Sequence, residues 1–285
     1  MGEKTGISWV RSSWSPWIGC TAVSPGCNAC YAEALDKRHR YGNATHWGPG
    51  VPRHRTSASY WKQPLAWNKK AAATGERWTV FPSLCDPFDN EVPDGWRLDL
   101  FTLIADTPHL TYLLLTKRIG NVLRMQGGDS LMFDVMQRNV WLGASIVNQE
   151  EAYRDIPTLL AVPAAKRFVS YEPALGPVNF SPWLTPCGPG IVSPDPHGRD
   201  QAIDWIIVGG ESKQGGAQAR PFNIGWARNV VLQCRAVDVA CFVKQIGSNP
   251  YSYLAGVTDA RTYKDRAGAN PAEWPADLRV QEFPA

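Results

Sequence analysis

Six short apolar runs, each followed by a polar motif, constrain the fold of this chain more than any other feature of its sequence. The runs are Thr79–Leu84, Leu110–Leu115, Val140–Ala144, Arg167–Ser170, Asp204–Val208 and Ala240–Val243. Short continuous apolar runs are typical of strands that are buried on both faces of a parallel sheet. Patterns typical of helices lie between them, and this alternation indicates βα units. We therefore predict an α/β fold, a partial TIM-type (β/α)6 barrel.

Helical spacing of apolar residues places helices between these strands. The predicted helices are Leu98–Asp106, Glu150–Leu160 and Trp226–Val237. Pro108 stops the first of them, because a proline cannot continue a helix. In parallel α/β barrels the polar motifs at the carboxyl ends of the strands form the active site. We therefore expect functional side chains directly after the six apolar runs.

Two regions interrupt the alternation of strand and helix. Residues 42–74 are polar and aromatic and contain Gly, Pro and basic residues, so we predict an insertion or a lid. Residues 182–202 are too rich in Pro and Gly for regular structure. The expected organisation is a barrel over residues 1–247, followed by a C-terminal extension over residues 248–285.

The charge and hydropathy of the chain limit its classes of partner. The formal net charge is only +3 over 285 residues, so the chain does not coat nucleic acid as a histone-like protein does. Any basic surface must therefore be local. A stretch of about 18 apolar residues is missing, so no membrane span is expected. The N-terminus lacks the apolar segment of a secretory signal. We expect a monomer in the cytoplasm, or in the host cytoplasm if the chain is phage-encoded.

The seven cysteines include three within eleven residues. Cys20, Cys27 and Cys30 have the spacing C-x6-C-x2-C, and Pro25-Gly26 supplies a turn between the first two. Cys30 then enters a predicted helix, Tyr31–Arg40. In a reducing cytosol we expect these cysteines to be thiols or metal ligands rather than disulfides.

Three nearby thiols without a fourth favour an iron–sulfur cluster over structural zinc. Structural zinc takes four protein ligands, which here would need His39 or another residue beside the three cysteines. A [4Fe–4S] cluster held by three thiolates leaves one iron open for a further ligand. The spacing thus predicts a cluster on Cys20, Cys27 and Cys30, while zinc and unliganded thiols stay open as alternatives.

Burial accounts for most of the remaining cysteines and for the tryptophans. The chain has 13 tryptophans, and we expect a large aromatic core. A cover that keeps water and oxygen from a cofactor is the alternative. Cys234 and Cys241 lie in apolar sequence and are predicted core residues. Cys85 is expected to be a small buried residue, with a hydrogen-atom donor as the alternative. The N-terminal tryptophans are Trp9, Trp14, Trp17, Trp47, Trp61 and Trp67.

Several stretches that span nearly the whole chain resemble a known family. They are SWSPWIGCTAVSPGCNACYAE, LLTKR, GASIVNQEEAYRDIPTLL, SYEPALGPV, DWIIVGGES with ARP after it, and FVKQIG. The chain resembles the phage and bacterial three-cysteine family of unknown function (DUF5131). That family is similar to radical S-adenosylmethionine (SAM) enzymes in its cysteine loop and its β/α repeat. The resemblance implies a radical SAM barrel with a [4Fe–4S] cluster, bound SAM and a reducing electron donor.

The resemblance also implies a reaction and a substrate. Some phage members of the family are implicated in thymidine hypermodification, the making of hypermodified thymine in viral DNA. There a radical step would move a glycyl group from attachment through nitrogen to attachment through carbon, which is an isomerase reaction. Nucleic-acid repair or methyl transfer, in a manner resembling spore photoproduct lyase, is an alternative. A zinc-stabilised DNA-binding protein without catalysis is another.

Polar residues after the apolar runs are the candidates for binding SAM and substrate. The expected catalytic residues are Lys117, Glu172, Glu211 and Lys244. The expected SAM contacts are Asp86, Arg118, Ser145, Asn148, Gly209 and Gly210. Salt bridges or helix caps in the βα loops are the alternative for each of them. The Gly-Gly-Glu motif follows a late strand rather than an early one, so it could bind substrate instead of SAM.

Basic residues interleaved with aromatic residues predict contact with DNA. Cations suit a phosphate backbone, and aromatic rings suit a flipped or stacked base. A solvated helix end beside a lid is the alternative. The basic residues are Lys37, Arg38, His39, Arg40, Arg53, His54, Arg55, Lys62, Lys69 and Lys70, and the aromatic residues are Trp47, Tyr60, Trp61 and Trp67.

Overall fold

The computed structural model describes residues 2–128, 130–186, 201–214, 218–254, 257–260 and 262–285, with the backbone alone at 253, 254 and 257–260. The strands are β1 (Ser12–Ser13), β2 (Trp17–Ile18), β3 (His54–Arg55), β4 (Trp78–Phe81), β5 (Leu110–Thr116), β6 (Val140–Ser145), β7 (Lys166–Tyr171), β8 (Trp205–Gly209), β9 (Phe222–Asn223), β10 (Ala240–Gln245), β11 (Pro250–Leu254) and β12 (Val257–Ala260). The helices are α1 (Tyr31–His39), α2 (Ala58–Trp61), α3 (Gln63–Thr74), α4 (Asp94–Ala105), α5 (Ile119–Gln126), α6 (Ser130–Asn139), α7 (Gln149–Ala161) and α8 (Ile224–Arg235).

A seven-stranded sheet contains all six strands that the apolar runs predict. Its order is β1-β4-β5-β6-β7-β8-β10. The pairs β1/β4, β4/β5, β7/β8 and β8/β10 run parallel. The seventh strand, β1, is a Ser-Ser segment whose polarity hides it from a search for apolar runs. The predicted α/β class is confirmed, and the architecture is compatible with a partial barrel.

Two compact units make up the chain. The first contains residues 1–24, 30–143 and 162–166, and the second contains residues 25–29, 144–161 and 167–285. Each unit is assembled from segments that are distant in sequence, as expected where strands pair across helical connections. The predicted division into a barrel and a C-terminal extension stays a prediction.

Tryptophans pack the core of the first unit. Trp14 and Trp17 are fully buried, as is Trp78 at the start of β4. The ring of Trp14 meets that of Trp61 edge-on, with centroids 5.4 Å apart. Trp67 is buried and stacks near Trp78, with centroids 6.3 Å apart. The predicted aromatic core is confirmed here, because these rings remove a large apolar area from water.

The second unit is built on β8, all of whose residues are buried. Trp205 of this strand lies with its ring 5.9 Å from that of Phe168 in β7 and 6.1 Å from that of Phe242 in β10. Cys234 and Cys241 are buried, as predicted. A separate three-stranded sheet of this unit has the order β12-β11-β9.

The predicted helices are present, with small shifts at their ends. They correspond to α4, α7 and α8, and α4 ends at Ala105, ahead of Pro108. The predicted helix after Cys30 is α1. It ends at His39, because Arg40 adopts a left-handed φ of 46°.

The two predicted interruptions have different outcomes. Residues 42–74 contain α2, α3 and β3, so the predicted insertion holds regular secondary structure. In the predicted loop over residues 182–202, residues 187–200 lie outside the part of the chain that the structure describes. Among the described residues, no helix has the length and apolar character needed to span a bilayer.

Candidate functional site

Cys20 lies at a corner of the first unit that backbone contacts fix. Strand β2 is followed by Gly19, and Cys20 is the next residue. The carbonyl oxygen of Cys20 accepts a hydrogen bond from Gly48 N at 3.0 Å. Gly19 has a φ of +120°, and a Cβ there would lie 2.3 Å from His46 O. Only glycine fits this position, because any side chain would collide with that carbonyl. We call the segment Gly19–Thr21 the cysteine corner.

A buried arginine lies against the sulfur of Cys20. Arg118 follows β5, and its side chain is only 7% exposed. Its Nη1 donates to Cys20 Sγ at 3.3 Å and to Asp86 Oδ2 at 2.9 Å. Its Nη2 donates to Thr21 O at 2.6 Å. Arg118 therefore binds the first cysteine, the residue after it and a carboxylate at once.

Asp86 receives hydrogen bonds on both carboxylate oxygens. Its Oδ1 accepts from Phe88 N at 2.9 Å and from Thr116 Oγ1 at 2.7 Å. Its Oδ2 accepts from Lys117 N at 3.2 Å as well as from Arg118. The structure thus joins Asp86 to Arg118 and holds the loops after β4 and β5 together. Contact of these side chains with SAM or substrate stays a prediction.

A second buried arginine binds the other side of the cysteine corner. Arg53 Nη2 donates to Thr21 Oγ1 at 2.7 Å, and its Nε donates to Asp89 Oδ2 at 2.8 Å. Its Nη1 donates to the carbonyl oxygens of His46 and Gly48, at 3.2 and 3.1 Å. The Arg53 side chain is 0% exposed. Its predicted contact with a phosphate backbone is therefore wrong, because its charge is satisfied inside the fold.

The other members of the predicted DNA surface divide by burial. Trp67 is 4% exposed, so its predicted stacking on a base is also wrong. Arg55 Nη2 forms an ion pair with Asp99 Oδ2 at 2.7 Å. Lys62 and Lys69 are exposed. Contact of DNA with the exposed basic residues stays a prediction.

The surroundings of Cys20 disfavour its ionised thiolate form. Burial and the Asp86 carboxylate raise the pKa of the Cys20 thiol to about 12, and the Arg118 guanidinium offsets part of this rise. The thiolate is the form that binds metals. Metal binding at Cys20 must therefore displace a proton at neutral pH.

Cys27 and Cys30 occupy defined positions in the segment that follows the corner. Cys27 ends a 3-10 turn, Pro25–Cys27. Cys30 is the N-cap of α1, and its carbonyl accepts from Ala34 N at 3.0 Å. Cys30 also packs against a small apolar cluster in which Ile18 is buried. All three cysteines are half-buried.

The three thiols fit an iron–sulfur cluster in donor type. Cysteine thiolates are the usual ligands of such clusters. Among the described residues, no group of three or more His, Cys, Asp or Glu side chains is arranged to hold a metal ion. Binding on Cys20, Cys27 and Cys30 therefore requires the loop that carries them to gather their sulfurs.

An ion pair in the second unit bridges two strands over a glycine. Glu172 follows β7, Lys244 lies in β10, and β8 runs between them. Lys244 Nζ lies 3.0 Å from Glu172 Oε1, without hydrogen-bond geometry. Ser170 Oγ donates to Glu172 Oε2 at 3.3 Å. Gly209 ends β8, and a Cβ there would lie 2.7 Å from Glu172 Oε1. The missing side chain at Gly209 lets the two charges meet across β8.

Three predicted SAM contacts of this unit have different surroundings. Ser145 is buried at the end of β6, and its Oγ has no hydrogen-bond partner among the described residues. Buried hydroxyls are normally paired, so Ser145 is a good candidate for a ligand contact. Asn148 Oδ1 accepts from Glu151 N at 2.9 Å at the start of α7, which is a helix-cap contact. Gly210 N donates to Gln245 O at 3.0 Å.

Glu211, a predicted catalytic residue, is bound by Arg220. Its Oε2 accepts from the backbone N of Arg220 at 2.9 Å and from Arg220 Nε at 3.0 Å, and its Oε1 accepts from Nη2. Arg220 Nη1 also donates to Pro25 O at 2.8 Å. Burial acts to raise the pKa of Glu211, but the hydrogen bonds and charge of Arg220 outweigh it and lower that pKa from its ordinary 4.5.

The pattern of polar residues at strand ends does not predict three of the site residues, because none of them follows an apolar run: Arg53, Thr21 and Arg220. The ARP stretch, which follows GGES in the family resemblance, was the available signal for Arg220. For Arg53 the sequence shows only a run of basic residues, a pattern that predicts a side chain exposed at the protein surface. Its partner Asp89 is 36 positions away, and that contact depends on the tertiary fold.

Comparison with known proteins identifies a family. The model of the family described as "Protein of unknown function (DUF5131)" matches residues 4–273. Neither a curated protein nor a solved structure gives a significant match. The predicted family resemblance is confirmed by this match, while the similarity to radical SAM enzymes stays a prediction.

The Glu211–Arg220 pair predicts a pH-dependent loss of stability in Arg220→Gln. Because the folded pKa of Glu211 lies below its unfolded value, the pair stabilises the protein above about pH 4.5, and this contribution is lost as the pH falls through the folded pKa. At pH 7 we expect the variant to lose about 1–3 kcal/mol of unfolding free energy. The measurement is urea unfolding from pH 3 to 8.

Arg138→Gln is the matched control for this experiment, since Arg138 and its partner Asp134 are more than half exposed. It should change stability by less than about 1 kcal/mol. An Arg220→Gln penalty that stays constant down to pH 3 would contradict the assigned ionic contact.

The contact over Gly209 predicts that Gly209→Ala destabilises the protein by about 1 kcal/mol, because the added methyl group displaces the Glu172 carboxylate from Lys244, but the flexible Glu172 side chain can move aside. Thermal unfolding measures the effect. Gly95→Ala is the control: nothing lies within 4 Å of a Cβ at Gly95, which is in α4, so that variant should be neutral or stabilised. Equal melting temperatures for Gly209→Ala and the parent protein would refute the close approach of Glu172.

Proposed function

We propose that this chain, which belongs to the family of unknown function DUF5131, is a radical SAM enzyme. The cluster-binding residues of the proposal are Cys20, Cys27 and Cys30. The observation that carries it is the cysteine corner, in which a glycine-dependent backbone and a buried arginine define the position of the first sulfur. A fixed backbone and a buried arginine around one thiol of a C-x6-C-x2-C segment are expected when that thiol is a metal ligand, and they are unnecessary for an inert thiol.

When bound, the cluster supplies the electron that splits SAM. The chain contributes a position for the first sulfur and an apolar neighbourhood for the third. Cys30 packs against Ile18, Ala32 and Leu84, all of which are buried. Exclusion of water by such packing protects reactive species from side reactions. Ser145, with its unpaired buried hydroxyl, is the proposed SAM contact in the second unit.

Glu172 and Lys244 are proposed to bind and orient the substrate in the second unit, while Glu211 and Lys117 stay predicted catalytic residues. The first two form an ion pair at the carboxyl ends of parallel strands, the edge at which such sheets bind ligands. An acceptor and a donor side by side suit a polar group that offers one of each. Lys244 has a side chain that is 28% exposed, so it is accessible to a ligand.

The proposed substrate is a hypermodified thymine in phage DNA, in which a glycyl group passes from a nitrogen to a carbon attachment. This part of the proposal rests on the family resemblance and on the exposed lysines, such as Lys62 and Lys69. Repair or methyl transfer on nucleic acid, and DNA binding with zinc but no catalysis, are the alternatives that the experiments below separate.

Iron content tests the proposed cluster. After anaerobic reconstitution we expect about four irons per chain and an electron paramagnetic resonance signal that SAM alters. Substitution of Cys20, Cys27 or Cys30 by alanine should abolish both. Cys85→Ala is the matched control, since Cys85 is half-buried and outside the proposed ligand set, and it should retain the iron. Stoichiometric zinc without iron would overturn the proposal in favour of a metal-stabilised binding protein.

Product mass tests the proposed reaction. Reduced, SAM-loaded protein is incubated with DNA that carries N-linked glycyl thymine, and the nucleosides are analysed by mass spectrometry. We expect a modified nucleoside of unchanged mass but altered fragmentation, together with 5′-deoxyadenosine from turnovers in which the reductant and a proton, rather than 5′-deoxyadenosine, complete the product radical. A mass increase of one methyl group would favour methyl transfer instead. The Cys27→Ala protein is the control and should give neither product.

A further inference from the structure

The guanidinium of Arg118 is directed at a sulfur of the proposed cluster. Its Nη1 lies 3.3 Å from Cys20 Sγ, within the range of an N–H···S hydrogen bond. The same nitrogen donates to Asp86 Oδ2 at 2.9 Å, and Nη2 donates to Thr21 O at 2.6 Å. These contacts leave the side chain only 7% exposed. The Arg118 guanidinium is therefore held against the cysteine corner by these hydrogen bonds.

The backbone of Arg118 is held in place as firmly as its side chain. Its N–H donates to Thr116 Oγ1 at 2.8 Å, and that hydroxyl donates to Asp86 Oδ1 at 2.7 Å. Asp86 thus fixes Arg118 from two directions. A planar guanidinium with its donors assigned in this way has a defined orientation toward the sulfur. Orientation matters because a hydrogen bond weakens steeply with angle.

Charges near the corner come close to balance. Arg118 lies 2.9 Å from Asp86 and 3.8 Å from Asp89, while Arg53 lies 2.8 Å from Asp89 and 3.5 Å from Glu91. The net charge of this group is therefore small. Arg118 therefore acts on Cys20 in a direction-dependent way through the hydrogen bond that it donates to the sulfur, rather than through its positive charge alone.

We propose that Arg118 positions the Cys20 thiolate and raises the reduction potential of the cluster. This inference rests on the proposed function. Reduction adds negative charge to the cluster and its thiolates, and a hydrogen-bond donor at a ligand sulfur stabilises that charge. Hydrogen bonds to sulfur and burial are established determinants of cluster potentials. Arg118 is thus a partner of the cluster's ligand, a role beyond the SAM contact that the sequence predicts.

The test compares midpoint potentials measured by electron paramagnetic resonance in anaerobic titrations. Asp86→Asn with Arg118→Met removes the ion pair and the sulfur donor together, which avoids an unpaired buried charge. We expect this double variant to bind iron with the reduction equilibrium constant lowered about tenfold, which is about 59 mV for one electron. Arg118→Lys keeps a cation and a donor, so its shift should be smaller. Arg124→Met, at an exposed position of α5, should show none.

The outcomes separate this inference from the proposed function. A parent protein that binds no iron would sink the proposed function. Full iron content and an unchanged midpoint in the double variant would overturn the role of Arg118 alone. Iron loss from a folded double variant, restored in Arg118→Lys, supports the positioning role. If the double variant does not fold, Arg118→Lys decides: a negative shift supports the inference, and a midpoint equal to that of Arg124→Met overturns it.

Discussion

The cysteine corner depends on two buried arginines. A buried charge is costly unless it is paired and hydrogen-bonded, and the chain meets this requirement with Asp86 for Arg118 and Asp89 for Arg53. Thr21 is bound by both arginines, one at its carbonyl and the other at its hydroxyl. Loss of either arginine would leave an unpaired carboxylate and unsatisfied carbonyl groups, so the position of Cys20 is coupled to the whole network.

The second unit also relies on paired, oppositely charged side chains, which have a different role there. Glu172 and Lys244 reach each other because Gly209 has no side chain, and Glu211 is neutralised by Arg220. The two pairs differ in hydrogen bonding rather than in the exposure of their cations, since the side chains of Lys244 and Arg220 are each 28% exposed. Glu211 has its carboxylate bound by three donors of Arg220, whereas Glu172 Oε1 accepts no hydrogen bond among the described residues. The first pair is therefore better suited to meet a ligand, while Arg220 of the second pair also holds the chain at Pro25.

Much of the fold could be predicted from local patterns, and much less of the site. All six apolar runs are strands and the predicted helices exist, because burial on both faces and helical periodicity leave their trace within a few residues. The apolar pattern does not predict β1, because its two residues are serines. The positions of Asp86, Arg118 and Glu172 after strands were predictable. Their partners were not, since Arg118 and Cys20 are 98 positions apart.

The sequence by itself determined the α/β class, the strand order along the chain, the family and the three-cysteine spacing. These are properties of short segments or of their succession. The tertiary structure alone decided that Arg53 is buried, that Arg118 points at a sulfur and that Gly209 makes room for an ion pair. Each of these depends on which distant segments pack together. An arginine in a basic run looks the same in sequence whether solvent or a buried carboxylate receives its charge.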